Sequence, residues 1–193
     1  MVIALENTEA RVLGNGEIAA AALMVDEAGN EINYSNPLPV SGAVKGAGFS
    51  ISVPLTVTNG AYTIGDVVGG LITLVGAASA AGKRSVIHSL TLAGVAALAY
   101  ELWFFASDIA TPAADNAALA LVAADVAMCK GVIPIATTDY NAAQTAFNVA
   151  TLRNLGFVFT CTATTLYAYL KAVAVTSPGT TVLTLTIKGE FID

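Results

Sequence analysis

The stretch NGAYTIGDVVGG, at positions 59–70, is the part of the sequence that most resembles a chemical motif, because four glycines surround one tyrosine and one aspartate. A phosphate-binding loop of the GxxxxGK type requires a lysine after its last glycine, so that the ammonium group reaches the outer phosphates. This stretch contains no lysine. The segment after it, GLITLVG, has the pattern of a strand, whereas a dinucleotide-binding fingerprint places a helix there.

The same stretch is better interpreted as a structural turn. We expect the ring of Tyr62 to anchor the turn and the carboxylate of Asp66 to accept backbone N–H groups within it. Glycine allows backbone conformations that other residues avoid and lets two strands approach closely. The predicted turn residues are Tyr62, Gly65, Asp66, Gly69 and Gly70.

The remaining acidic residues of the central region show no catalytic pattern. Asp108, Asp115, Asp125 and Asp139 lie in predicted loops or beside a predicted helix, and nothing marks two of them as a pair for acid–base catalysis. They also do not follow the DxDxDG order of a calcium-binding loop. The sequence therefore predicts no catalytic carboxylate.

Histidine and cysteine are equally sparse. His88 is the single histidine, and in the segment SVIHSL strand alternation would place it on the same face as Val86 and Leu90. Cys129 and Cys161 have no neighbouring Cys or His that would complete a metal site. We expect two buried free thiols in preference to a disulfide, and no metal, no cofactor and no enzyme activity.

Composition narrows the classes of partner. Charged residues make up 11% of the chain and hydrophobic residues 55%, which suits contact with other protein. The net charge is −6 and the basic residues are scattered, so nucleic-acid binding is not expected. The longest apolar run, residues 67–82, is shorter than the roughly 18 residues that a membrane-spanning helix needs. No secretory signal is evident, which predicts synthesis in the cytoplasm.

The elements that must position these residues are mainly strands. Alternating apolar and polar residues predict strands at 49–59 and 183–188, and Pro54 either makes the first of them an edge strand or places a bulge in it. Further short apolar segments are separated by turn-forming residues. They lie at 70–76, 85–93, 98–107, 131–137, 155–163 and 165–175.

One segment, residues 111–131, breaks this rhythm with apolar residues at helical spacing. Asp115 or Asn116 would cap its start, and Gly131 follows its end. The predicted fold is therefore all-β and mainly antiparallel: a β-sandwich or jelly-roll-like domain over residues 49–193, with one short crossover helix.

Residues 1–48 are predicted to be an extended arm. The sequence DEAGN, at positions 26–30, indicates a short hairpin turn. The segment NPLPV contains two prolines that hold the backbone extended. We expect this segment to dock on a partner through Asn36, Pro37, Leu38, Pro39 and Val40.

Three sequence segments, taken in their order along the chain, resemble those of a known type of protein. They are GNEINYSNPLPVSG, AYTIGDVVGGLITL, and the segment from LAYELWFF to GVIPI at residues 98–135. Together they resemble a recurrent type of tailed-bacteriophage virion protein, in which an arm precedes a β domain. The resemblance implies a non-enzymatic structural protein of the particle: a capsid decoration or cement protein, a head-fibre base or a tail-associated fibre component. Of these, the decoration protein is favoured. It also implies a homotrimer, a virion location, and the major capsid protein or another virion protein as partner.

Two alternatives remain open. One is a tail- or fibre-associated receptor-binding or carbohydrate-binding module, in which Tyr62, Trp103, Tyr167 and Tyr169 would stack on sugars. The other is a hydrolase of a host surface polymer, which would need two carboxylates roughly 5 to 9 Å apart in a cleft.

Overall fold

The computed structural model describes residues 8–12, 18–22, 47–144 and 147–192. The chain divides into two compact units, Met1–Val44 and Lys45–Asp193. The predicted hairpin turn at 26–30 and the NPLPV segment lie outside the described residues, so the arm and its boundary at residue 48 stay predictions.

The described part of the first unit is one antiparallel hairpin. Strand β1 (Thr8–Val12) pairs with β2 (Ile18–Ala22), and the register joins Thr8 to Ala22 and Val12 to Ile18. The sequence interpretation did not include this pair of strands, because IAAAA carries no apolar–polar alternation.

The second unit is an antiparallel β-sandwich with one short helix, as the sequence predicts. A five-stranded sheet consists of β3 (Gly48–Thr56), β5 (Arg84–Gly94), β8 (Tyr140–Gln144), β9 (Phe147–Thr160) and β11 (Val182–Phe191). A four-stranded sheet consists of β4 (Val67–Val75), β6 (Tyr100–Phe105), β7 (Cys129–Ile135) and β10 (Thr165–Ala172). The strand order is β3-β11-β5-β9-β8 in the first sheet and β4-β10-β6-β7 in the second.

The core lies between the two sheets and is built from alternate residues of both. Leu90, Leu185 and Ile187 point inward from the five-stranded sheet, and Ile72 and Phe104 from the four-stranded sheet; all are fully buried. Burying side chains of this size contributes about 1.5–3 kcal/mol each relative to exposure. Strand β3 lies at the edge of its sheet, as Pro54 predicts.

Two strand predictions were incomplete. Strand β8 was not predicted, and β9 begins at Phe147 instead of 155. The extra part of β9 reads FNVATLRN, which has little regular alternation because Asn and Arg interrupt it. Pairing with β5 on one side and β8 on the other supplies the hydrogen bonds that make it a strand.

The predicted helix is real but much shorter than its pattern. Helix α1 spans Ala123–Met128 and begins after Val122, whose N–H group donates to Asp125 Oδ2 at 3.0 Å. The prediction that Asp115 or Asn116 caps the helix is wrong. Residues before the helix instead bond to the edge of β4: Asn116 donates its N–H group to the carbonyl of Val67 at 2.8 Å.

The prediction that His88 shares a face of β5 with Leu90 is wrong. A β-bulge lies between Ile87 and Ser89 in the pairing of β5 with β9, so Ile87 and Leu90 both enter the core. His88 is displaced outward, and its Nε2 lies 3.2 Å from Glu190 Oε1, with both side chains about half exposed. Simple alternation fails here because a bulge adds one residue to the strand.

The segment from Ala106 to Met128, which we call the crossover, carries its own small cluster of buried side chains. Ile109 of the crossover is buried together with Val67, Phe105 and Tyr169 of the four-stranded sheet. Leu119 and Leu121 pack against the same cluster. The crossover therefore covers part of the outer face of that sheet, and Phe104 and Phe105 are buried on opposite faces of β6.

A second bulge explains two glycines of the 59–70 stretch. In the pairing of β10 with β4, Tyr169 lies opposite Leu71 and Leu170 lies opposite Val68, so Gly69 and Gly70 are extra residues in β4. Gly69 has φ +83°, and a Cβ atom there would lie 2.8 Å from Leu55 Cβ. This position requires glycine for its backbone conformation and for the close approach of β3.

We predict that Gly69→Ala destabilises the protein by roughly 3 kcal/mol, since it combines left-handed backbone strain with overpacking against Leu55. Gly76→Ala is the matched control, because Gly76 has φ +80° but no atom within 4 Å of an added Cβ. The control isolates the strain and is expected to cost about 1–2 kcal/mol. Urea unfolding of both variants measures the difference, and equal midpoints would contradict the assigned role of Leu55.

Candidate functional site

The 59–70 stretch is held by a carboxylate from the crossover. Asp115 Oδ2 accepts the backbone N–H and the hydroxyl of Thr58, both at 2.7 Å. Asp115 Oδ1 accepts the Tyr62 hydroxyl at 2.7 Å and the Gly69 N–H at 2.6 Å. We call these four residues the Asp115 clasp. Its carboxylate receives four hydrogen bonds, which fixes the crossover against both ends of the β3–β4 connection.

Tyr62 links the clasp to the core. Its ring is completely buried, and its hydroxyl donates to Asp115 while accepting the Thr58 N–H at 2.8 Å. Burial and the adjacent Asp115 carboxylate both raise the pKa of Tyr62 above its ordinary value. The hydroxyl therefore stays protonated and continues to donate.

The ionised state of Asp115 is favoured by its donors. Burial alone would raise the pKa of Asp115, but the hydrogen bonds from Thr58, Gly69 and Tyr62 outweigh it and hold the pKa below its ordinary value. The carboxylate is thus charged at neutral pH, and its bonds are charge-assisted, which makes them stronger than neutral ones.

Asp66 closes the turn next to the clasp. Its Oδ2 accepts the backbone N–H of Thr63 at 2.6 Å and the Thr63 hydroxyl at 2.8 Å. Gly65 between them has φ +97°, a conformation that favours glycine. Of the five predicted turn residues, Tyr62, Gly65 and Asp66 lie in the connection between β3 and β4, whereas Gly69 and Gly70 lie in β4. Asp115 comes from a segment 45 or more positions away.

The other aspartates also bond to the protein itself. Asp108 Oδ1 accepts the hydroxyl of Tyr169 at 2.9 Å, Asp125 Oδ1 accepts the Ala110 N–H at 2.7 Å, and Asp139 Oδ2 accepts the Ala136 N–H at 2.7 Å. Within the described ranges, no group of three or more His, Cys, Asp or Glu side chains is arranged to hold a metal ion. The arrangement supports backbone organisation at each carboxylate.

The aromatic side chains proposed for sugar stacking are distributed differently from the expectation. Tyr62 and Tyr169 are fully buried and offer no surface to a ligand. Trp103 and Tyr167 are partly buried and pack against the cluster beneath the crossover. Of the four aromatic residues, therefore, only these two have surface that a ligand could contact.

Trp103 is itself engaged by charged neighbours. Lys171 Nζ lies 4.9 Å from the centre of the Trp103 ring and 2.6 Å from Glu101 Oε2, which also accepts the indole N–H at 3.0 Å. The hydrogen bond from Lys171 lowers the pKa of Glu101, and burial opposes it only in part. The lysine thus occupies a face of the indole on which a sugar would stack.

Both thiols are free. Cys161 is buried as expected, but the expected burial of Cys129 is wrong, because this residue is partly exposed. Burial raises the pKa of Cys161 to about 11, so this thiol stays protonated at neutral pH. In the described part of the chain, no helix is both long and apolar enough to cross a membrane.

Comparison with known proteins gives no relative: no family model, no curated protein and no solved structure matches this chain.

Sequence reasoning missed the clasp because the signals for it are local and ambiguous. Asp115 precedes Asn116 and an alanine-rich run, a pattern typical of a helix start. Thr58 lies directly before Asn59 and Gly60, which indicates a turn but not its partner. No signal in either segment specifies that they meet.

We predict that Asp115→Asn destabilises the protein by about 3 kcal/mol, because an amide replaces a carboxylate that accepts four donors and turns an NH2 group toward some of them. Tyr62→Phe, which removes one hydroxyl, is expected to cost about 1–2 kcal/mol. The double variant should cost less than the sum, since both changes break the same bond. Asp139→Asn is the control, because the Asp139 carboxylate accepts one backbone N–H group, that of Ala136. Additive costs in urea unfolding would contradict a shared clasp.

The clasp also predicts a pH dependence. The folded-state pKa of Asp115 is lowered, so its ionisation contributes stability that is fully present above the unfolded pKa of about 4 and is lost as pH falls through the folded pKa. The stability gap between the wild type and Asp115→Asn should therefore narrow below about pH 4. Urea midpoints of both proteins from pH 7 to pH 2.5 test this. A gap of constant size would show that the charge is not the source of the stability.

Proposed function

We propose that this protein is a non-enzymatic structural protein of a tailed-bacteriophage virion, and most of all a decoration or cement protein of the capsid. Copies associate as a homotrimer and bind the head lattice through the major capsid protein or another virion protein. Many copies that bridge neighbouring capsomers stabilise the shell by multivalent burial of surface. The resemblance of the three sequence phrases to such proteins motivates this proposal.

The observation that carries the proposal is the apolar surface of the sandwich. Twelve large hydrophobic side chains are exposed among the described residues, in a chain with only 11% charged residues. Exposed apolar side chains that are rimmed by few charges favour contact with other proteins. They are Ile64, Val75, Val95, Val122, Val126, Met128, Val132, Phe147, Val158, Val175, Val182 and Ile192.

The carboxylates support a structural role in a second way. Asp66, Asp108, Asp115, Asp125 and Asp139 each accept backbone or hydroxyl hydrogen bonds that shape a turn, a helix start or the crossover. Groups used in this way contribute to a rigid scaffold, which is what a shell component needs.

The main alternative is a tail- or fibre-associated module that binds a receptor or a carbohydrate. Because Tyr62 and Tyr169 are buried, only Trp103 and Tyr167 of the four proposed residues could stack on a sugar. Lys171 already covers the Trp103 ring. These contacts favour decoration over sugar binding.

We predict hundreds of copies of this protein per particle, distributed over the head. Quantitative mass spectrometry of purified virions gives the copy number, and antibody labelling in electron microscopy gives the location. A handful of copies at the tail would favour the receptor-binding alternative instead.

We also predict that deletion of residues 1–40, which include the NPLPV segment, reduces incorporation into particles at least tenfold while the sandwich stays folded and trimeric. Light scattering of the purified protein should give a mass three times the chain mass of 19.5 kDa for the full chain and a proportionate mass for the deletion. Undiminished incorporation would contradict a docking role for the arm. A monomeric full chain would contradict the trimer.

A further inference from the structure

Part of the 59–70 stretch pairs through backbone hydrogen bonds with the segment that ends and follows β10. Tyr62 and Thr176 exchange two backbone hydrogen bonds, at 2.8 and 3.1 Å. Gly65 donates its N–H group to the carbonyl of Ala172 at 2.9 Å, and Ala172 donates to the carbonyl of Asp66 at 2.9 Å. We call residues 61–66 and 172–176 together the apolar tip.

The tip presents large apolar side chains to solvent. Val175 is 72% exposed and Ile64 is 69% exposed, the two highest values among the exposed large hydrophobic side chains of the described residues. Ala61 and Ala174 in the same two segments are also exposed. Two β-branched side chains at such exposure cost solubility and contribute nothing to the core, which indicates a role in contact.

The tip is also held rigidly by the elements around it. The Asp66 turn fixes Thr63 next to Ile64, and the Asp115 clasp fixes Tyr62 two residues earlier. A loop that is already in one conformation loses little entropy on binding, so its apolar side chains act as preformed anchors. The clasp therefore positions Ile64 as well as supporting the fold.

Charge at the tip restricts what can cover it. Asp66 lies within the tip and Asp115 lies against Tyr62, and among the described residues no Lys, Arg or His nitrogen lies within 4 Å of either carboxylate. A symmetric contact between two tips would bring four like charges together, which disfavours a second copy as the occupant. A partner with basic side chains would be attracted.

We propose that the apolar tip inserts Ile64 and Val175 into an apolar pocket of another virion protein whose rim carries lysine or arginine. The proposal rests on the proposed function, and it adds a contact separate from that of the N-terminal arm. Ile64 and Val175 supply the buried area, and the carboxylates of Asp66 and Asp115 align the tip with the basic rim.

The test compares binding of the full-length protein and its variants to particles assembled without it, by cosedimentation. Ile64→Ser with Val175→Ser removes the anchors at exposed positions, where such changes usually alter stability by less than about 0.5 kcal/mol. We expect binding to weaken by about tenfold or more, the effect of losing two anchor side chains. Ala80→Ser with Ala120→Ser is the control, because both positions are exposed, lie outside the tip and do not belong to the twelve exposed large hydrophobic side chains; it should bind within about twofold of the wild type.

Circular dichroism and light scattering of each variant show whether fold and oligomer are retained, and Ile64→Ala with Val175→Ala serves if the serine variant misfolds. If the tip variants bind particles as the wild type does, the proposed contact through Ile64 and Val175 is wrong, but the decoration role is unaffected. A wild type that does not bind particles would overturn both. Loss of the oligomer in the tip variant alone would identify the tip as a contact between copies, against the proposal. Binding that does not weaken between low and high salt would contradict the basic rim.

Discussion

The structure of the sandwich end depends on one carboxylate. The Asp115 carboxylate accepts hydrogen bonds from Thr58, Tyr62 and Gly69. Thr58 and Tyr62 lie in the connection between β3 and β4, and Gly69 lies near the start of β4. An exposed turn rich in glycine would ordinarily be mobile, because glycine has the largest conformational freedom of all residues. Here a charged acceptor with four donors restrains it, and the crossover is fixed by the same bonds.

The crossover also makes the two outer faces of the sandwich different. Its apolar residues bury Val67, Phe105 and Tyr169 on the four-stranded sheet. The outer face of the five-stranded sheet instead carries hydroxyl side chains, for example Ser52, Thr186, Thr91 and Thr151, which are cross-strand neighbours in one row. Ser52 and Thr186 hydrogen-bond through their hydroxyl groups at 3.0 Å. Threonine suits such a face because it is β-branched and still polar.

These features connect the fold to the proposed role. The aspartates shape turns, hydroxyl side chains form a row on the outer face of one sheet, and large apolar side chains remain exposed on the loops and on strands. A protein that acts by binding in many copies requires a rigid scaffold and complementary surface rather than a reactive group. The Asp115 clasp links the two requirements, because the bonds that stabilise the sandwich end also hold Ile64 in a fixed position.

The sequence by itself determined the fold class and most strands, because period-two alternation, proline and glycine act over a few residues. Only the tertiary structure decided the role of Asp115, the bulge that turns His88 outward, the pairing that makes residues 147–154 a strand, and the burial of Tyr62 and Tyr169. Each of these depends on a partner far away along the chain. Local patterns cannot specify such a partner, since a carboxylate before an alanine-rich run is equally suited to cap a helix and to hold a distant turn.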